Sequence, residues 1–346
     1  MSSASAPGKI ILFGEHAVVY GRPALAVPVM QVHADSSTDS STDFFTDSRI
    51  RTDKGFRTNK SVGTDKSVGT DVGGKDWHSH ILIEAPDIGI FSTLDALLAD
   101  QTPDPLAAVI NNLFQFLGVT PAPLKIHITS TIPVASGLGS GAAVSVALIR
   151  ALSSAVGRPL SDEQVNALAY EVEKLHHGTP SGIDNTVITY ARPVYFVRGQ
   201  PIETFRVGAP FTLVIGDTGI SAPTKESVGD VRKLWEADPS RWEQVFDQVG
   251  EIAQKARTAI ETGNTSALGP LMDRNHALLQ ALTVSSPELD RLVLTAKTAG
   301  ADGAKLSGGG RGGNMIALVQ PERADQVASA LMAAGAKRAL ISVVEA

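Results

Sequence analysis

The chain has 346 residues, 43% of them hydrophobic but only 5% aromatic, with 32 glycines and a formal charge of −6. That length suits two domains of ordinary size, and the acidic balance argues against a nucleic-acid or anionic-membrane surface as main partner, since such surfaces are bound by clustered Lys and Arg. The absence of cysteine excludes disulfides, thiolate nucleophiles and cysteine-held metal centres, and the N-terminus shows neither a basic leader nor a membrane-length apolar run, so a cytoplasmic, untargeted protein with no membrane partner is expected.

In chain order, Ile10 to Phe13 and Ala24 to Val29 read as short buried strands around the turn-rich stretch Gly14 to Pro23. From residue 35 to 76 the chain turns polar and repetitive: SSTD occurs twice from Ser36 to Asp43, and KSVGTD twice from Lys60 to Asp71. Such a segment carries too little apolar surface for a core and reads as an insertion on the surface. Order resumes with Ile81 to Ala85, a helix over Leu106 to Leu117 and an alternating strand over Leu124 to Ile132. A glycine loop, Gly137 to Gly141, then empties into a buried helix over Ala142 to Val156 that Gly157 ends. Ser161 and Gln164 have capping-box spacing before a helical stripe of Val165, Leu168, Ala169 and Val172.

Past Asp184 the pattern reads as strand-rich through Phe196, and Phe211 to Ile215 is a further buried strand. A domain boundary is placed near residue 190, giving an N-terminal domain over 1–190 and a C-terminal domain over 191–346. The second half shows helices around Thr224 to Trp235, Trp242 to Thr262 and Ser266 to Ala281. It closes with a glycine loop at Gly308 to Gly313, a strand at Met315 to Val319, a helix over Arg323 to Ala334 and a last strand at Leu340 to Val344. Strands and helices in mixed order, with antiparallel neighbours, indicate an α+β protein.

Four stretches could carry chemistry. In Pro133 to Leu152 the loop opens directly onto a helix start, whose unpaired N–H groups and partial positive charge suit phosphate oxygens. It is neither a Walker loop nor a dinucleotide fingerprint, and a plain tight turn would read the same. In Glu173 to Asn185, Glu173 falls at the edge of the helical stripe and Asp184 follows Gly178, Pro180 and Gly182. Two such carboxylates could divide phosphoryl transfer between metal holding and hydroxyl activation; a helix stop and a capping Asp is the plainer alternative. In Ala6 to Gly21, Lys9 stands at the mouth of a buried strand, with Glu15 and His16 in the turn beyond it. The fourth, Lys305 to Leu318, packs glycines around Arg311, which allows close backbone approach.

These stretches, in this order, resemble the motifs of the kinases named for galactokinase, homoserine kinase, mevalonate kinase and phosphomevalonate kinase, the GHMP kinases. Within that family, APGKIILFGEHAVVYG, HGTPSGIDN and the supporting DTGISAPTKESVGDVR are most similar to the mevalonate kinases. The resemblance covers Ala6 to about Leu318 apart from the repetitive segment. It implies the family's two-domain α+β fold with the active site in the interdomain cleft, ATP as co-substrate, Mg²⁺ as cofactor and mevalonate as acceptor.

Carried over by position, it implies Asp184 as catalytic base or hydroxyl-orienting group and Lys9 as its electrostatic partner. The ATP phosphates fall to Pro133, Ser136, Gly137, Leu138, Gly139, Ser140, Gly141 and Ala142, and Mg²⁺ to Glu173 with Ser140. Glu15, His16, Thr224 and Gly309 fall beside the acceptor, the last within a loop that closes from the C-terminal domain. The family commonly has two serines in the phosphate loop, whereas here Ser140 is followed by Gly141. A phosphomevalonate kinase, a kinase for another mevalonate hydroxyl and a silent ATP or metabolite sensor stay as alternatives, and the sequence leaves open whether the chain pairs as a homodimer.

Overall fold

The structure, a computed structural model, describes residues 1–40, 80–99, 104–133, 136–177, 181–201, 203–221 and 224–346. The chain opens with β1 (Ser2–Phe13), a single 3₁₀ turn (Ala17–Tyr20) and β2 (Ala24–Asp39). β1 and β2 pair antiparallel from Phe13↔Leu25 to Ser2↔Thr38, so the two strands and the expected turn form one long hairpin. Then follow β3 (Ile81–Ala85), β4 (Ile90–Thr93), α1 (Leu94–Leu98), α2 (Pro105–Leu117) and β5 (Leu124–Ser130). Next come α3 (Ser140–Ala155), α4 (Asp162–His177), α5 (Ile183–Tyr190), β6 (Val194–Phe196) and β7 (Glu203–Thr204).

Among the described residues these strands make a seven-stranded sheet in the order β4-β3-β5-β2-β6-β7, with β1 on the other edge of β2. Only the β3–β5 pair is parallel among those recorded. α3 lies against this sheet and is buried nearly all round: Val146, Leu148, Ile149 and Leu152 are at most 1% exposed. Burying each such side chain contributes roughly 1.5–3 kcal/mol. Local signals fix the ends of the surrounding helices. Asp104 accepts from the amides of Leu106 and Ala107 at 2.8 and 3.1 Å to start α2, and Gly118, at φ 61°, ends it. Before α4 the capping box forms as expected, Ser161 N–H donating to Gln164 Oε1 at 3.0 Å and Gln164 N–H to Ser161 Oγ at 3.4 Å.

The second half holds β8 (Phe211–Asp217), α6 (Thr224–Ala237), α7 (Pro239–Glu261), α8 (Leu268–Ala281), α9 (Pro287–Thr298), β9 (Gly303–Ser307), β10 (Asn314–Val319), α10 (Ala324–Ala333) and β11 (Arg338–Val344). An antiparallel four-stranded sheet in the order β11-β8-β10-β9 forms its spine. The α+β class expected from the element pattern is the class observed.

Two expectations differ from the fold. The stretch after Asp184 is mostly helix: α5 runs to Tyr190, and strand returns only at Val194. Thr186, Val187, Ile188 and Thr189 have strand propensity but are at most 1% exposed, so packing against α3 and α4 overrides it. The chain changes sheet between Thr204 and Phe211, because β6 and β7 return to the first sheet, β6 pairing with Ala24 to Ala26 of β2, before the chain crosses. The segment taken as an insertion from residue 35 begins instead as β2, where Ser36 and Thr38 alternate inward at 1% and 3% exposure and pair with both β1 and β5. Small hydroxyl side chains fit that pleat despite their polarity. The rest of the repetitive stretch, 41–76, lies outside the described residues, as do Gly178 and Pro180. α9 and β9 were not read from the sequence, although Ser286 caps α9 by accepting from Leu289 N–H at 3.3 Å, with Pro287 at its first turn.

Candidate active site

β1 delivers Lys9 to the cleft. Its amide donates to Leu138 O at 2.9 Å, which ties the strand to the glycine loop, and its ammonium lies 3.0 Å from Asp184 Oδ1. The Lys9 side chain is 6% exposed and that of Asp184 34%, so the lysine is walled in while the carboxylate faces the opening. Asp184 sits in the first turn of α5 behind Gly182, whose φ of 87° turns the chain into the helix. Gly139, at φ 77°, is the residue before α3, and a Cβ there would lie 3.0 Å from Lys9 Cγ and 2.8 Å from Ile188 Cδ1. Only glycine lets the loop close over the lysine stem in this way. The start of α3 thus opens beside the Lys9–Asp184 pair.

Within the loop Ser136 is held by its own hydroxyl, which donates to Pro133 O at 2.8 Å. Leu138 and Ala142 are buried, so they offer the site backbone groups only, whereas Gly137 and Gly141 are exposed. Glu173, near the end of α4 and 8% exposed, faces the loop from below: a Cβ on Gly141 would lie 3.9 Å from its Oε1. Ser140, Gly141 and Glu173 are therefore neighbours, and Gly141 leaves the carboxylate uncovered.

The residues expected beside the acceptor also converge. His16, at φ 62°, points its Nε2 at Gly309 O across 3.1 Å, joining the first turn to the loop between β9 and β10. A carbonyl only accepts, so Nε2 carries the proton and donates. Burial lowers the His16 pKa to about 4, against the opposing hydrogen bond to Gly309, with Arg311 and Lys305 lowering it further, so the ring is neutral at pH 7. Gly309 packs against Thr224 at the head of α6, where a Cβ would lie 2.8 Å from the threonine Oγ1. Arg311, in the same loop, pairs with Asp230 of α6 at 2.6 Å, holding loop and helix together. That pairing helps to hold the Asp230 carboxyl down to about 2, Lys233 being the larger cause. Glu15 is 2% exposed and pairs with Lys305.

Comparison with known proteins follows the same lines. The family model described as GHMP kinases N terminal domain matches residues 105–192, and that described as GHMP kinases C terminal matches residues 256–337. A mevalonate kinase of Thermococcus sibiricus is 39% identical over 343 residues, covering 96% of this chain and 93% of that protein. One of Pyrococcus furiosus is 35% identical over 337 residues, with the same two coverages of 96% and 93%. The crystal structure of L. major mevalonate kinase in complex with R-mevalonate superposes with a TM-score of 0.78 at 29% identity, covering 100% of this chain and 96% of that one.

The chain belongs to the GHMP kinases. It is accordingly an ATP-dependent kinase.

Three further residues of this GHMP kinase shape the cleft without having been singled out individually from the sequence. Lys305 of β9 is fully buried, pairs with Glu15, donates to Leu306 O at 2.6 Å and lies 5.9 Å from the Phe13 ring centre. Desolvation pushes its pKa down, against the attraction of Glu15. Ser307 Oγ donates to Ile11 O of β1 at 2.8 Å. Asn314 Nδ2 donates to Ser136 O. The available signal was a polar side chain inside an apolar strand run, AKLS for Lys305 and NMIALV for Asn314. What the sequence could not show was that the partners stand 290, 296 and 178 positions away.

Proposed function

We propose that this kinase transfers the γ-phosphoryl group of ATP to the 5-hydroxyl of mevalonate. The observation that carries the proposal is the Lys9–Asp184 pair, 3.0 Å apart at the mouth of α3, in a chain 39% identical to a mevalonate kinase along nearly its whole length. In this reading the amides at the start of α3 and of the loop from Ser136 to Ala142 hold the phosphates, helped by the helix dipole. Asp184 orients the acceptor hydroxyl and takes its proton, while Lys9 offsets the negative charge that develops on the transferring group. Glu15, His16, Thr224 and Gly309 shape the acceptor side. The N-terminal unit carries the nucleotide, the C-terminal unit closes over it, and a cytoplasmic location goes with the use of ATP.

The oxygen donors of Glu173 and Ser140, set at the phosphate-binding helix start, fit Mg²⁺, which takes one or two carboxylates together with substrate phosphates. When bound there it would neutralise phosphate charge. Two cations at the cleft are already engaged, Lys305 by Glu15 and Arg311 by Asp230, which favours an unphosphorylated acceptor over phosphomevalonate.

The test is ATP consumption by the purified protein with Mg²⁺ and, in turn, mevalonate, phosphomevalonate, homoserine and galactose, with the product position read by phosphorus NMR. Mevalonate-dependent formation of the 5-phosphate is expected. Turnover with another acceptor alone would overturn the substrate, and no turnover with any acceptor would point to a sensor. Asp184→Asn is expected to lower kcat by about 10²–10⁴-fold with ATP affinity retained, and near-normal turnover would remove the assigned role.

A further inference from the structure

Asn314 opens β10 directly after the glycine loop of the C-terminal unit. Its backbone is fixed on both sides, opposite Asp217 of β8 and Ser307 of β9. The side chain, 2% exposed, leaves that sheet and crosses to the other unit, where Nδ2 donates to Ser136 O. Because a carbonyl can only accept, the nitrogen and not the oxygen of the carboxamide must face it, which settles the amide orientation. The same nitrogen lies against the next residue, since a Cβ added to Gly137 would stand 3.6 Å from it. Oδ1 is buried with no hydrogen-bond partner among the described residues. Burying an amide with one end unsatisfied costs free energy that an apolar side chain would avoid.

The loop it touches has little stiffness of its own. Gly137 and Gly139 take φ of 79° and 77°, conformations open to many alternatives when no Cβ limits them. Among the described residues, two hydrogen bonds from outside hold its backbone: Lys9 N–H to Leu138 O from β1, and Asn314 Nδ2 to Ser136 O from β10. A cradle made of backbone amides binds phosphate well only if those amides already point inward. We infer that Asn314 is a positioning residue for the nucleotide: it pins the phosphate loop from the opposite unit, so that ATP affinity depends on the place of the C-terminal sheet. The inference rests on the phosphate-loop reading given above.

The experiment compares wild type with Asn314→Leu, of similar size but without a donor, and Asn314→Asp, of the same shape but unable to donate. Dissociation constants for a fluorescent ATP analogue are measured without acceptor, and KM for ATP and for mevalonate are measured at saturating co-substrate. Loss of the one hydrogen bond is expected to weaken ATP about tenfold in Asn314→Leu. Asn314→Asp should weaken it further, with KM for mevalonate changed less than twofold in both. ATP constants within twofold of wild type in both variants would overturn the inference. So would KM values for ATP and mevalonate that rise together in step with a lowered melting midpoint, the mark of a merely structural role. Should Asn314→Leu not fold, Asn314→Asp carries the test. Wild type that binds the nucleotide but does not turn over mevalonate would defeat the functional proposal alone, since the ratio of ATP constants still reads Asn314. Wild type that binds no nucleotide would defeat both.

Discussion

Replacing Lys305 by Met removes an ammonium that is 0% exposed and leaves the Glu15 carboxylate, 1% exposed at its side chain, without its ion partner. The unlinked Glu15 oxygen, Oε2, has no hydrogen-bond partner among the described residues. Breaking a buried pair from one side costs about 3–5 kcal/mol. In a chain of 346 residues that corresponds to a fall of about 4–7 °C in the melting midpoint. Urea unfolding of wild type and Lys305→Met at pH 7 measures the loss. Removing both charges in Glu15→Leu/Lys305→Met should recover most of the loss, because two apolar side chains need no compensation. A Lys305→Met deficit below 1 kcal/mol at pH 7, or a double variant that loses the sum of its single losses, would refute the reasoning.

The neutral, buried His16 should make the protein acid-sensitive. Its pKa near 4 lies below the unfolded value of 6.5, so its contribution is complete above pH 6.5 and is lost as pH falls toward 4. The loss amounts to roughly 2 kcal/mol by pH 5. Urea unfolding should therefore show a smaller drop between pH 7 and pH 5 in His16→Asn than in wild type, and equal drops would count against it. Gly139→Ala forces a Cβ onto a φ of 77°, 2.8 Å from Ile188 Cδ1 and 3.0 Å from Lys9 Cγ. About 1–3 kcal/mol of stability should be lost and kcat should fall with it as the lysine is displaced, which thermal melts and steady-state rates check together.

How much of this was legible follows from where each determinant lies. The glycine loops, Lys9, Glu173 and Asp184 are written in local patterns: glycines that permit a close turn, a capping box that fixes the phase of α4, a lysine at a strand mouth. Phase is what placed Glu173 correctly, since the stripe from Val165 to Val172 puts it one turn beyond Ala169 at the buried edge. Local propensity misled where tertiary packing decides. Thr186 to Thr189 reads as strand, yet the segment is a helix held between α3 and α4, and Asp184 faces Lys9 from that helix's first turn. The polar Asp35–Asp39 reads as insertion, yet small side chains let it lie inside a sheet flanked on both edges.

The least legible part is also what makes one site of two units. Lys305 to Glu15, Ser307 to Ile11, Gly309 to His16 and Asn314 to Ser136 all run from β9, β10 or the loop between them to β1, its turn or the phosphate loop. Each partner taken alone is an unremarkable residue, and no period or spacing relates positions 178 to 296 residues apart. Two of these contacts use buried side chains with an oxygen that has no hydrogen-bond partner among the described residues, Glu15 Oε2 and Asn314 Oδ1. Each such atom costs the seam stability that an apolar side chain would not.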